Sequence, residues 1–251
     1  MNEKTAKKLN REKRQRRITV LALLLIILFL LCLFGAAALA EFTGSFTINL
    51  NYNEMQHGLS LYDNKGFRDP RAKLAADPLR NEMTNITLSN LDLDAIDGVD
   101  GSHHGESNAL ESAYFAYTFY LKNVSPAAHD YEVRINLTDA SKNADAAVRI
   151  VLISDSTTYD DPANQRDRST TTVYGKEKSG GGLDVNCDDA FLQERGTIVY
   201  FKRTLGIDQS HKYTFVMYLE GMDAECVDDI KGGQVKLNME FRLLDSGDET
   251  T

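Results

Sequence analysis

QVKLNMEFRL, residues 234–243, alternates without a break. Val235, Leu237, Met239, Phe241 and Leu243 fall on one side, and Lys236, Asn238, Glu240 and Arg242 on the other. Successive side chains of an extended chain point to opposite faces, so this period of two marks a half-buried β-strand. The same reading works outward along the chain. In FTGSFTINLNY, residues 42–52, Phe42, Gly44, Phe46, Ile48, Leu50 and Tyr52 share one face, and Thr43, Ser45, Thr47, Asn49 and Asn51 the other. Between these two lie further strand patterns: YFAYTFYLK (114–122), YEVRINL (131–137), TIVYFK (197–202), YTFVMYL (213–219) and the weaker TTTVYG (170–175). Shorter strands are expected at 59–62 and 86–88. VRIVLIS (148–154) is apolar on both faces, which predicts a central strand. The turn signal Asn123-Val124-Ser125-Pro126 predicts a hairpin between its neighbours. The Gly-punctuated acidic stretch 92–106 reads as an exposed loop, followed by a helical turn at 107–111, and Lys176–Gly182 as another loop. About eight strands with short helical pieces predict a mainly β domain, a jelly-roll-like antiparallel β-sandwich, with a closed barrel as the runner-up.

The chain has 251 residues and a formal net charge of -9, but the charge is split. Residues 1–17 carry eight Lys or Arg and two Glu; residues 18–40 carry no charge; residues 41–251 hold 20 basic and 35 acidic residues, a net of -15. A body this acidic repels phosphate, which excludes most nucleic-acid roles. Ile18–Ala40, ITVLALLLIILFLLCLFGAAALA, is mainly apolar. As a helix it would span ~35 Å at ~1.5 Å per residue, enough to cross a hydrocarbon core of ~30 Å. The basic leader places the N-terminus in the cytoplasm and the acidic body outside. The expected organisation is a basic leader (1–17), a transmembrane helix or signal segment (18–40) with the lipid bilayer as its partner, an extracellular β-sandwich (41–244) and a polar tail (245–251). Ala38-Leu39-Ala40 before Glu41 fits the small-x-small pattern of signal peptidase. Both outcomes stay open there: cleavage, giving a secreted protein, or retention as a single-pass anchor. Cys32 follows Phe29-Leu30-Leu31, with no small residue just before it, which argues against a lipoprotein acceptor.

Chemistry-bearing residues are scattered. No H-E-x-x-H, G-x-S-x-G, P-loop or G-x-G-x-x-G is present, and no catalytic residue, cofactor or metal ligand is assigned. His103-His104 reads as a polar pair in the loop. Asp92, Asp94, Asp97 and Asp100 offer oxygens of the kind Ca²⁺ takes, but Ile96 stands where an EF-hand loop needs its third oxygen ligand, so a solvated acidic loop is the simpler reading. Cys187 and Cys226 lie in DVNCDDA and DAECVDD. An exported domain with an even pair of loop cysteines predicts a disulfide, worth about 4 kcal/mol for a loop of roughly 40 residues in chain-entropy terms. Its formation would bring Asp184, Asp188 and Asp189 near Asp223, Asp228 and Asp229. Asn85, Asn123 and Asn136 begin Asn-x-Ser/Thr sequons.

Phe215-Val-Met-Tyr-Leu-Glu-Gly-Met-Asp-Ala-Glu-Cys226 followed by Val-Asp-Asp-Ile-Lys-Gly-Gly233 and a last alternating strand resembles the closing segment of exported bacterial proteins of the TasA/camelysin group. Phe115-Ala-Tyr-Thr-Phe-Tyr-Leu-Lys-Asn123 is similar to an earlier strand of the same proteins. The resemblance implies a jelly roll outside a Gram-positive-type cell, in a group whose TasA members build biofilm matrix fibres through a strand donated between subunits. The expected function is therefore a non-enzymatic cell-surface or biofilm-matrix protein, with another copy or a matrix component as partner. The alternatives are a membrane-anchored metal-dependent hydrolase using the Asp clusters or His103-His104, or an envelope-complex subunit. If residues 18–40 stay attached, strand 42–52 is expected at an edge of its own sheet; if they are removed, it is free to be taken up by a neighbour.

The charge split makes a direct prediction. Protease added to intact cells stripped of their wall should digest 41–251 and spare 1–17. Protection of the acidic body would reverse the assigned topology.

Overall fold

The computed structural model describes Arg16, Thr19, Val20, Ala22, Leu23 and residues 45–76, 82–108, 111–155 and 169–244. The chain divides into two compact units, 1–40 and 41–251. In the first, Arg16, Thr19, Val20, Ala22 and Leu23 are helical. No helix among the described residues is long and apolar enough to cross a membrane. The proposed span 18–40 lies mostly outside those residues, and Cys32, Ala38, Ala40, Glu41 and the tail 245–251 wholly outside.

The second unit is mainly β, built on two open sheets. Its strands are β1 (Ser45–Leu50), β2 (Leu59–Tyr62), β3 (Lys73–Ala75), β4 (Glu82–Met83), β5 (Asn85–Ile86), β6 (Gly101–Asn108), β7 (Glu111–Asn123), β8 (His129–Ala140), β9 (Val148–Asp155), β10 (Ser169–Gly175), β11 (Asp189–Ala190), β12 (Gly196–Leu205), β13 (Ser210–Glu220) and β14 (Val235–Leu243). Three short helices are described: α1 (Tyr52–Gln56), α2 (Leu93–Asp97) and α3 (Ala144–Ala147). Sheet A runs β12-β8-β14-β1-β3, and sheet B runs β11-β10-β9-β13-β7-β2, with β4 and β6 also on β7 and β5 on β13. As expected, β9 is central, between β10 and β13.

The alternating faces of β14 and β1 meet sheet B as their sequences require. Phe46, Ile48, Met239 and Phe241 are buried, and Phe46 stacks on Phe215 with ring centroids 3.9 Å apart. Phe119, Tyr213 and Phe241 pack with centroids 5.5–5.9 Å apart. The two sheets are also joined by polar bonds inside this core. Tyr131 Oη on β8 lies 2.5 Å from both Tyr213 Oη and His211 Nδ1 on β13. Sheet B is largely buried on its outward face too, where Ala116, Val151, Ile153, Val216 and Tyr218 lie, so it needs a third layer. Ile96 of α2 is buried there, and Leu88, Leu91 and Leu93 pack against the same core.

Four expectations are corrected. Strands β7 and β8 do not form a hairpin; they belong to different sheets. Asn123 is fully buried, and its Nδ2 donates to Ala127 O (2.7 Å) and Gly206 O (3.1 Å), so the turn becomes an arch between sheets. The stretch 101–108 is strand β6, not a loop. Its Gly105 makes room for a ring: a Cβ there would lie 2.0 Å from Tyr114 Cε1. The helical turn at 107–111 gives way to strand at 107, 108 and 111. Finally β1 is not an edge strand. It lies between β14, with which it pairs in parallel, and β3, with which it pairs antiparallel. Where β1 ends, the buried Glu54 of α1 continues the ladder, its Oε1 accepting from Leu243 N at 3.4 Å.

The inter-sheet histidine carries a pH dependence. Burial, aided by the positive charge of Arg203, pushes the His211 pKa down to about 4. Its Nε2 has no hydrogen-bond partner among the described residues, so protonation would leave a second buried N–H unsatisfied. The unfolded chain takes up this proton near pH 6.5. Stability is therefore full above that value and falls as the pH drops toward 4, by up to about 1.4 kcal/mol per unit. Urea unfolding between about pH 7 and pH 5 should show a shallower loss in His211→Asn than in the parent protein.

Candidate functional site

Strand β9 begins with a residue out of keeping with its neighbours. Val148, Ile150 and Val151 are core residues, yet between them Arg149 is also fully buried. An unpaired guanidinium could not stay there. Its Nη1 donates to Ala146 O (3.0 Å) and Val148 O (3.2 Å), its Nε to Val185 O (3.2 Å), and its Nη2 to Asp223 Oδ2 (2.7 Å). Asp184 Oδ2 stands 3.5 Å from the same Nη2. Burial works to lower the Arg149 pKa, but Cys187, Asp223 and Asp184 outweigh it and hold the pKa above the ordinary value.

The loop after β13 is shaped around this charge. Glu220 is fully buried, with Oε2 accepting from Asn186 Nδ2 (2.8 Å) and Oε1 from Met222 N (3.0 Å). Burial tends to raise its pKa, but the hydrogen bonds from Asn186, the Met222 amide, Thr87 and the Leu88 amide bring the pKa below the ordinary carboxylate value. Gly221 N donates to Ile86 O at 2.7 Å, which ties the loop to β5. Asp223 Oδ1 accepts from Glu225 N at 2.7 Å. The Glu220-Gly221-Met222-Asp223 run is therefore a turn lock. The following Asp228–Ile230 turn buries Ile230, and Gly233 passes so close to Ala144 that a Cβ would lie 2.8 Å from its side chain.

Cys187 and Cys226 are both free thiols, each half-buried, so the expected disulfide is not formed in this structure. Their two loops are joined through Arg149 instead, by Asp184 and Val185 from one and Asp223 from the other. Burial, reinforced by Asp184, Asp223 and Asp188 against the pull of Arg149, pushes the Cys187 thiol up to about 11. Burial also raises Cys226, which Asn85 partly offsets. Raised thiols are poor nucleophiles. Gly175 belongs to the same packing, since a Cβ there would lie 2.4 Å from Cys187 Sγ.

Of the acidic residues that the sequence set near the cysteines, Asp184 and Asp223 do meet. With Glu225 they place one carboxylate oxygen each within 4.8 Å of one another. Oxygens so placed suit a hard cation, but the Arg149 guanidinium already supplies the positive charge. The others go elsewhere: Asp188 Oδ2 accepts from Val173 N (2.8 Å), Asp189 lies in β11, and Asp228 pairs with Lys231 (2.9 Å). The first acidic group does not converge either. Asp92 caps α2 by accepting from Ala95 N (3.0 Å), and Asp97 takes Lys212 Nζ and Thr214 Oγ1 at 2.6 and 2.5 Å. Asp100 takes Tyr120 Oη and Lys65 N, both at 2.8 Å, while Asp94 is exposed in the first turn of α2. These are joints between the third layer and sheet B. His103 and His104, adjacent on β6, point to opposite faces, one against Tyr114 and the other against Phe115. They cannot share a ligand. Among the sequons, Asn123 is buried and bonded, Asn136 half-buried and Asn85 exposed.

Sequence reasoning missed Arg149, the centre of the site. The signal was there: one arginine inside an apolar run needs partners, and the aspartates near the two cysteines supplied them. Arg149→Ala should cost about 3–5 kcal/mol, because it strands the buried Asp223. Adding Asp223→Ala should recover part of that loss, giving a coupling well above 1 kcal/mol in a double-mutant cycle. Additive losses in urea unfolding would deny the pair. No family model, curated protein or solved structure matches this chain.

Proposed function

We propose that this chain is a non-catalytic protein of the cell surface or biofilm matrix, carried to or held at the membrane by residues 18–40 and able to self-assemble by exchanging its first strand. The observation that carries the reading is the seat of β1. Of the six residues of β1, the alternate Phe46, Ile48 and Leu50 reach the core, in a strand seated between β14 and the three-residue β3. Such a strand is held by main-chain bonds and side-chain pockets that another copy of the same strand would fill equally well. The alternation of β7, β8 and β9, and of β12, β13 and β14, between the two sheets supports a jelly-roll winding.

A metal-dependent hydrolase has one feature in its favour, the Asp184–Asp223–Glu225 cluster. Arg149 stands against it: a cation placed there would face a buried guanidinium 2.7 Å from Asp223. The thiols of Cys187 and Cys226, raised by burial, add no nucleophile.

The test is complementation. A fragment of residues 53–251 should be unfolded or aggregated, because it lacks three core side chains and exposes the edge of β14. A peptide of residues 42–52 should restore a cooperative unfolding transition, and the same peptide with Ile48→Asp should not. Residues 41–251 should then grow in mass with concentration under light scattering. A fragment that folds without the peptide, or 41–251 staying monomeric throughout, would reject exchange.

A further inference from the structure

We propose that the outer face of sheet A binds a neutral polysaccharide chain, laid across the strands. The outward face of sheet B is largely buried beneath a third layer; the outward side chains of sheet A are polar and, apart from the buried Glu132, half-exposed or exposed along the central strands. The register sets them in straight rows. Thr47, Asn238, Asn136 and Thr197 lie side by side on β1, β14, β8 and β12. This row of amides and hydroxyls is uncharged from end to end. The next row is Asn49, Glu240, Arg134 and Tyr200.

Neighbouring strands are ~4.8 Å apart, comparable to the length of one sugar ring, so a chain running along a row would meet one side chain per ring. Hydrogen-bonding capacity remains in that row. Asn136 Oδ1 accepts from Thr197 Oγ1 at 2.7 Å, which leaves its amide N–H groups for a ligand. Asn238 Nδ2 donates to Glu240 Oε1 at 3.0 Å and keeps a second N–H. At the end of the second row Tyr200 is 40% exposed, with the Arg134 guanidinium over its ring at 5.5 Å. A phenol held in that way offers a flat apolar surface on which a sugar ring can stack, and a fixed aromatic costs little ordering entropy on binding.

Charge selects the class of partner. Three ion pairs lie within this face, Arg134 with Glu132 (2.7 Å), Arg242 with Glu240 (3.0 Å) and Lys236 with Asp139 (3.1 Å), beside the exposed Lys73 on β3 and Lys202 on β12. The body around the face carries a net of -15. A polyanion would be repelled by that body, and a polycation would find stronger sites on its acidic loops. An uncharged polyhydroxylated chain suffers neither effect.

The test uses the full chain in detergent micelles, run through native gels cast with and without laminarin, dextran or hydroxyethylcellulose. At least one of these should retard it, and heparin should not. Tyr200→Ala and Asn136→Ala should each weaken retardation at least tenfold, with thermal unfolding reported for each; Asp94→Asn, on the opposite side of the sandwich, should leave it unchanged. No retardation by any neutral glucan, retardation by heparin alone, or equal retardation of folded Tyr200→Ala and Asn136→Ala would overturn the proposal. If light scattering instead showed self-association lost in the same two variants, the face would belong to a second copy of the chain and the proposal would fall.

Discussion

A fully buried positive charge has to be matched, and the matching of Arg149 dictates where three separate loops go. Its guanidinium draws in the carbonyls that close α3, the 184–187 loop and the turn after β13. These segments are far apart in sequence, and their common partner fixes one end of the sandwich. The arrangement is also self-consistent, since each carboxylate that approaches Arg149 has a second bond holding it: Asp184 Oδ1 from Val185 N and Asp223 Oδ1 from Glu225 N. Buried ionic groups often give little net stability compared with an apolar substitute, but they penalise the wrong arrangement heavily. Here the gain is a single placement of loops around a strand that would otherwise be covered by any apolar surface.

That placement leaves the two faces of the molecule with different characters. Sheet B is sandwiched between sheet A and a thin third layer, held on by Asp97 through Lys212 and Thr214 and by Asp100 through Tyr120. Sheet A keeps an outward face of amides, hydroxyls and ion pairs. The contrast follows from the strands themselves. In β9 both faces are apolar over much of the length and in β13 both faces are buried from Tyr213 to Glu220, whereas β1 and β14 alternate strictly.

The alternating strands were legible for the same reason. Phe46, Ile48, Met239 and Phe241 declare their face by period alone, and the central position of β9 follows from its apolar run. What escaped the sequence was whatever depended on distant partners. Gly105 looked like loop punctuation because nothing local reveals the Tyr114 ring that lies over it. Asn123 looked like a turn residue of a hairpin, when its amide is spent on carbonyls from the β12–β13 connection. Asp92 to Asp100 looked like one acidic group, although its oxygens answer to a helix terminus, a lysine, a threonine and a tyrosine. The Cys187–Cys226 disulfide expected from the sequence is absent, and the two loops are tied through Arg149 instead.

The parallel pairing of β1 with β14 has a consequence in time. Strand β1 can complete its pairing only after β14 exists, some 190 residues later in the chain. At roughly 5–20 residues per second that interval is on the order of 10–40 s. Throughout it β1 has only the three-residue β3 as a native strand neighbour in its sheet, and the uncharged segment 18–40 lies close before it in the chain. A nascent chain in this condition is a substrate for holding chaperones, and it stays threadable for as long as residue 243 is missing. Completion of sheet A is thereby deferred until β14 has been made.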